Sequence, residues 1–193
     1  MIIRKLFKFE NAHIVRHCTT QRCSQNLHGH SYKVEVLLES NYLDEAQMVY
    51  DFGLMKLRIK ELLDAFDHSI TLWSKDDKAY LEAMQKHSKR WIVLPVSPSA
   101  EQFSRVIFLM VEKIIDTTLM VNGERGVEVH SIIVHETDTG YAQSFAKDAH
   151  SELMGNIDAT KIEFSSQIQS EWSSPTLWHD ILEGKPIQNP KKI

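Results

Sequence analysis

Apolar and polar positions alternate from the start of the chain. Ile3, Lys5, Phe7 and Phe9 fall on one face and Ile2, Arg4, Leu6 and Lys8 on the other, the period of two that marks a strand. His28 to Leu38 repeats the pattern, with Tyr32, Val34, Val36 and Leu38 on one face and Lys33, Glu35 and Glu39 on the other. Between them Arg16 to Asn26 is polar and aperiodic and reads as a loop. The period then changes to helical. Asp51 is placed as an N-cap before Phe52, Met55, Ile59, Leu62, Leu63 and Phe66, which share one face. Ser99 and Gln102 have capping-box spacing, and Phe103, Val106, Ile107, Met110, Val111 and Ile114 recur every three or four residues, which predicts a second helix. Val127 to Glu136 and Tyr141 to Ala146 read as strands joined by a turn at Thr137 to Gly140. The order is β-β-α-α-β-β. It predicts an α+β fold with helices laid on one face of an antiparallel sheet.

Two segments fall outside this scheme. Ser74 to Val96 carries a short amphipathic piece (Tyr80, Ala83, Met84, His87) and reads as an insertion between the helices. From about Lys147 the chain is polar, with Trp172 and Trp178 as isolated apolar anchors. The expected organisation is therefore one domain over 1–146, interrupted at about 74–96, and an extension over 147–193 with no function legible in its residues.

Composition narrows the classes of function. The 193 residues carry 22 Lys and Arg against 26 Asp and Glu, a net charge of −4 with no long basic run, which argues against a dedicated nucleic-acid binder. The longest clean apolar run, Val106 to Val111, is far short of a membrane span. The first residues lack the apolar core of a signal peptide, and two cysteines make no disulfide framework. A soluble cytoplasmic protein is expected.

Four of the ten histidines, at 13, 17, 28 and 30, crowd into one stretch. His28 and His30 stand two apart on a strand, so both imidazoles face the same way, and Gly29 between them permits a close backbone approach. His13 ends the preceding strand and would meet them if the two strands pair antiparallel. Three imidazoles suit Zn²⁺ with a fourth position left open for water or substrate, the pattern of a catalytic site. Plain surface polarity is the commoner explanation of an isolated His-x-His, and the third histidine at a strand end brings the two readings level. A rival set, Cys18 and Cys23 with His28 and His30, would make a closed structural zinc site. Asp67-His68 is a carboxylate–imidazole pair of the kind that moves protons. Glu136 stands where it could accept two N–H groups from a guanidine-like heterocycle edge. An ordinary loop thiol and a solvated strand end are the bland readings of Cys23 and Glu136.

Six ordered stretches carry a resemblance: Phe9-Glu10-Asn11-Ala12-His13, Cys23 to Tyr32, Tyr50-Asp51-Phe52, Phe66-Asp67-His68, Pro98-Ser99-Ala100-Glu101 and Val134-His135-Glu136-Thr137. Across 1–72 and 93–145 the chain resembles the 6-pyruvoyltetrahydropterin synthase superfamily, the tunnelling fold (T-fold), and within it the bacterial 6-carboxytetrahydropterin synthases of queuosine biosynthesis. The resemblance implies zinc on His13, His28 and His30, Cys23 as catalytic base working with Asp67 and His68, and Glu136 as the anchor of the pterin ring. It leaves Cys18 as a second candidate thiol. It implies a carbon–carbon lyase acting on 7,8-dihydroneopterin triphosphate, with Arg16 the nearest cation for the triphosphate. It also implies a homo-oligomer, a hexamer of two trimers, with active sites at the subunit interfaces. Two alternatives share these residues: the sibling enzyme that eliminates triphosphate and leaves a pyruvoyl side chain, and a non-catalytic zinc- or pterin-binding module.

Overall fold

A computed structural model describes residues 1–192. Two long strands, β1 (Ile2–His13) and β2 (His28–Glu39), pair antiparallel along their full lengths. The short helix α1 (Gln21–Gln25) lies in the connection expected to be loop. A 3₁₀ turn at Leu54–Lys56 leads into α2 (Arg58–Asp64), so the first predicted helix is shorter than its apolar pattern. Asp51 does not cap α2; its carboxylate accepts the Gly53 amide at 2.6 Å. Next come β3 (Ser69–Trp73), α3 (Lys78–His87) and β4 (Trp91–Leu94). The long α4 (Ala100–Thr117) begins at Ser99 as its sequence predicts, the Ser99 hydroxyl accepting the Gln102 amide. A two-residue β5 (Thr118–Leu119), then β6 (Glu128–His135) and β7 (Tyr141–Ser144) follow. The remainder forms α5 (Ala146–Ala149), β8 (Glu163–Phe164), α6 (Ser166–Glu171), α7 (Leu177–Leu182) and β9 (Ile187–Gln188).

The expected α+β arrangement is present, and the sheet is wider than the pattern suggested. Its seven strands run β7-β6-β2-β1-β3-β4-β8. The antiparallel half, β7-β6-β2-β1, is the predicted four strands. The added half is β3, which directly precedes the supposed insertion, β4 within it and β8 of the tail: β3 pairs parallel to β1 and to β4, and β8 closes the edge antiparallel to β4.

Alternation explains where the core sits. Phe7 and Phe9 on β1, Tyr32, Val34, Val36 and Leu38 on β2, and Ile132 and Val134 on β6 all point toward α4 and are buried. On β4 the two faces divide: Ile92 and Leu94 join this main core, whereas Val93 packs with Ile70, Leu72, Tyr80, Leu81 and Met84. The insertion helix α3 thus covers the opposite face of the sheet, a local departure from helices on one face alone. Beneath one end of the sheet Phe9, Tyr32, Phe66 and Phe103 form a cluster with ring centroids 5.1–6.5 Å apart, and the functional side chains stand above it.

Candidate active site

Strand register assembles the histidines. His13 lies directly opposite His28, and Asn11 opposite His30. A Cβ at Gly29 would stand 3.2 Å from the Asn11 carbonyl oxygen, tighter than ordinary contact, so a side chain between the two imidazoles would require the β1 backbone to shift by a few tenths of an ångström. The ring nitrogens of His13, His28 and His30 converge within 4.8 Å of one another. His13 is fully buried and lies over Phe103, with ring centroids 6.1 Å apart.

Backbone carbonyls fix two of the three rings. His13 Nδ1 donates to Pro98 O at 2.6 Å and His28 Nδ1 to Asn26 O at 2.9 Å, which leaves both Nε2 atoms as acceptors. His30 Nε2 is buried with no hydrogen-bond partner. A buried imidazole nitrogen without a partner is costly unless something else binds it. Burial pushes His13 down to about 4. It lowers His30 as well, against the opposing pull of the Glu136 carboxylate. Neutral imidazoles are the form that ligates a cation, so the chemistry of this trio fits a metal.

Glu136 follows β6 directly and reaches the same centre. Its Oε1 is 3.5 Å from His13 Nε2 and 3.9 Å from His30 Nε2, and it accepts the Tyr32 hydroxyl at 3.2 Å. Tyr32 itself is 3.3 Å from His13 Nδ1 and fully buried. Cys23, Cys18, His28, Glu136 and the first turn of α4 line one cavity of ≈ 360 Å³. The Cys23 backbone holds α1 against the end of β1, its carbonyl accepting the Val15 amide at 3.0 Å. Partial burial, the neighbouring Cys18 thiol and Glu136 together push the Cys23 thiol up; a bound cation would act in the opposite sense.

Asp67 and His68 do not share this cavity within one chain. They close the turn after α2, and His68 lines a second cavity of ≈ 600 Å³ together with His30, Glu10 and His87. Asp67 Oδ2 accepts His68 Nδ1 at 2.9 Å, as the adjacent pair suggested. Partial burial raises the Asp67 carboxyl, but the Glu10 amide, His68 and the charge of Arg90 outweigh it and hold it below its ordinary value. Arg16 borders neither cavity: it pairs with Asp76 at 2.9 Å and stacks on Tyr80. Among the described residues a second group, His179, Asp180 and Glu183, has its histidine and glutamate exposed and its aspartate half-buried, and Lys185 lies on both of its carboxylates.

Residues 2–147 match the family model described as 6-pyruvoyl tetrahydropterin synthase. The chain belongs to this family. Membership agrees with the resemblance carried by the sequence motifs, and with it the expected T-fold and an enzyme of this kind. A relative from Helicobacter pylori strain J99, named 6-carboxy-5,6,7,8-tetrahydropterin synthase, is 37% identical over 94% of this chain and 92% of its own. One of the same name from Aquifex aeolicus is 32% identical over 73% of this chain and 95% of its own. Among solved structures, an uncharacterized protein from Wolinella succinogenes superposes with a TM-score of 0.59 at 20% identity, covering 76% of this chain and 98% of its own. The 6-pyruvoyltetrahydropterin synthase of Plasmodium vivax superposes with a TM-score of 0.54 at 19% identity, covering 75% of this chain and 97% of its own. These structural likenesses support the shared fold.

The sequence reading gave no site role to three supports of the centre: Tyr32, the Pro98 carbonyl and Asn11. Tyr32 carried a signal, because it continues the His28–His30 face by two more residues. Asn11 Nδ2 donates to Phe66 O, Ser69 O and Ser69 Oγ at 2.9–3.0 Å and pins the turn bearing Asp67 and His68 to β1. A backbone carbonyl such as that of Pro98 has no signature in a sequence.

Proposed function

We propose that this protein is a zinc-dependent 6-carboxytetrahydropterin synthase. It would convert 7,8-dihydroneopterin triphosphate and water to 6-carboxy-5,6,7,8-tetrahydropterin, acetaldehyde and triphosphate in queuosine biosynthesis. The observation that carries this reading is the convergence of His13, His28 and His30 with Glu136, beside a cavity that holds Cys23. The relatives that match over most of the chain bear this enzyme's name. His13, His28 and His30 would hold the zinc. The chemistry supplied by a bound cation there is stabilisation of negative charge on substrate oxygens.

This chain's own groups do the rest. Glu136, steadied by the Tyr32 hydroxyl, accepts the paired N–H edge of the pterin and so sets the distance of the side chain from the imidazoles. Cys23 takes a side-chain proton as thiolate, and His68, oriented by Asp67, gives and receives protons at Nε2. Cys23 and His68 stand in different cavities of one chain, so the reading places the complete site between subunits of a homo-oligomer, a hexamer in this proposal. Neither cavity is lined by Lys or Arg among the described residues. The cations for the triphosphate, Arg16 included, then come from outside these walls. The cytoplasm is the compartment where such a substrate and free thiols are both at hand.

The test is incubation of zinc-loaded protein with 7,8-dihydroneopterin triphosphate and identification of products by mass spectrometry. Carboxytetrahydropterin with acetaldehyde is the expected outcome. A pyruvoyl product would move the protein to the sibling activity, and absence of turnover by folded, zinc-bearing oligomer would leave a binding module.

A further inference from the structure

Arg90 joins three parts of the chain that are far apart in sequence. It stands just before β4, and its carbonyl accepts the Ile70 amide at 3.1 Å. Its guanidinium faces the turn after α2: Nε donates to Asp67 O at 2.9 Å, and Nη2 donates to Asp64 O at 2.8 Å and Ala65 O at 3.4 Å. Asp64 O also accepts the Asp67 amide at 3.0 Å, so the guanidinium reinforces the turn's own backbone hydrogen bond and adds grips at Ala65 and Asp67. The remaining nitrogen, Nη1, donates to the Glu171 carboxylate of α6. A residue of the 74–96 segment therefore grips the turn, and a residue of the C-terminal extension aims it.

Strand β1 holds the same turn from the other side. The Glu10 amide donates to Asp67 Oδ1 at 2.8 Å, and the His68 amide donates to Glu10 O at 2.7 Å. Held between these grips, His68 has φ = 50°, in the left-handed region. A non-glycine residue keeps such a backbone only where its surroundings impose it. Both Asp67 oxygens are engaged, Oδ1 by Glu10 and Oδ2 by His68 Nδ1, so a movement of the turn is felt directly at the imidazole.

We propose that Arg90, oriented by Glu171, is a positioning residue for the Asp67–His68 pair, fixing the turn so that His68 keeps its proton on Nδ1 and presents Nε2 to the cavity. This assigns the inserted segment and the C-terminal extension a part in the reaction, and it rests on the reading of Asp67–His68 as the proton-transfer pair. The grip is specific to a guanidinium: an ammonium cannot reach three carbonyls and a carboxylate in one plane.

The experiment uses the full-length, metal-loaded protein and the variants Arg90→Gln, Arg90→Lys, Glu171→Gln and His68→Ala. Steady-state kinetics, metal content, melting and the ¹⁵N shifts of the His68 ring are recorded for each. The wild type should show a single Nδ1–H tautomer. In Arg90→Gln the ring should become a mixture and kcat should fall about 100-fold, the scale of a misplacement near 1 Å, with KM and metal content unchanged. Arg90→Lys should restore little of this, Glu171→Gln should lose a smaller part, and added guanidinium should partly rescue a further variant, Arg90→Ala. An unchanged ring signature together with unchanged kcat, whatever happens to the melting temperature, would overturn the proposal. Should Arg90→Gln fail to fold, Arg90→Lys and Glu171→Gln carry the same two readouts. Retained turnover in His68→Ala would instead sink the proton-transfer reading, while the tautomer measurement would still decide whether Arg90 positions the ring.

Discussion

The Tyr32 hydroxyl lies between His13 and the Glu136 carboxylate, and burial together with that carboxylate holds its proton on. It therefore acts as a donor, keeping Glu136 from turning away from the centre. Replacing Tyr32 with Phe preserves the tilted contact with Phe9 and the edge-to-face contact with Phe103 and removes only the hydroxyl. Loss of one such hydrogen bond should cost about 1 kcal/mol of stability, measurable by urea unfolding. Because Glu136 is then free to rotate, KM should rise more than kcat falls in steady-state assays; equal loss in both would mean that Tyr32 acts on the chemical step instead. His13→Ala offers a contrasting case: if the trio holds zinc as proposed, removing one of the three imidazoles should lower the metal content found by elemental analysis to a small fraction of the wild type's. The residues of this centre were legible because strand periodicity places His28 and His30 on one face and pairing adds His13. The separation of Cys23 from His68 was not, because no local pattern says which loops share a cavity.

Elements show a similar division. The paired strands β1 and β2 and the helix α4 follow from period and cap alone. The strands β3 and β4 are short, apolar and parallel, and such runs carry no alternation to distinguish them from buried helix. On the outer face of the sheet, Glu35 of β2 ties neighbouring strands together, accepting from Arg4 of β1 at 2.7 Å and from His135 of β6 at 2.8 Å. Partial burial raises the Glu35 carboxyl, but the hydrogen bonds from His135 and Arg4 and their charges outweigh it and hold it below its ordinary 4.5. As pH falls through 4.5 the unfolded chain takes up this proton before the folded one does, so the unfolded state is favoured. The contribution of Glu35 is therefore complete above about pH 4.5 and lost as the pH drops through the lower, folded value. Glu35→Gln should show a shallower fall of the urea midpoint between about pH 5 and pH 3 than the wild type. Equal slopes would assign the acid lability to other carboxylates.

For the molecule as a whole, the decisive question is whether the last quarter of the chain is attached to the fold or belongs to it. The family match ends at residue 147, yet the Helicobacter pylori relative aligns over 94% of the chain. Ile157, Ile162, Phe164, Ile168, Trp172, Leu177, Trp178 and Ile181 are buried in the same core as α4 and β4. Phe164 pairs through β8 with Ile92 and packs against Trp172 and Trp178 at 4.9 and 6.1 Å. Arg105 of α4, almost wholly buried, donates to the carbonyls of Asp148, Met154 and Gly155 at 2.7–2.8 Å and so organises the crossover into this region. Two isolated tryptophans in a polar stretch were the sole sequence sign of this packing, because the apolar residues that accompany them are too sparse to show a period. A segment bound this way cannot leave without exposing Ile92 and Leu94 of the main sheet. Trp178→Ala should therefore cost about 3–5 kcal/mol and lower the stability of the entire chain. Unfolding followed by tryptophan fluorescence and by far-ultraviolet circular dichroism should remain one coincident transition. An early fluorescence transition, with the sheet signal intact, would show the extension to be a separable attachment, and the grip of Glu171 on Arg90 would then be a contact that the sheet does not need in order to fold.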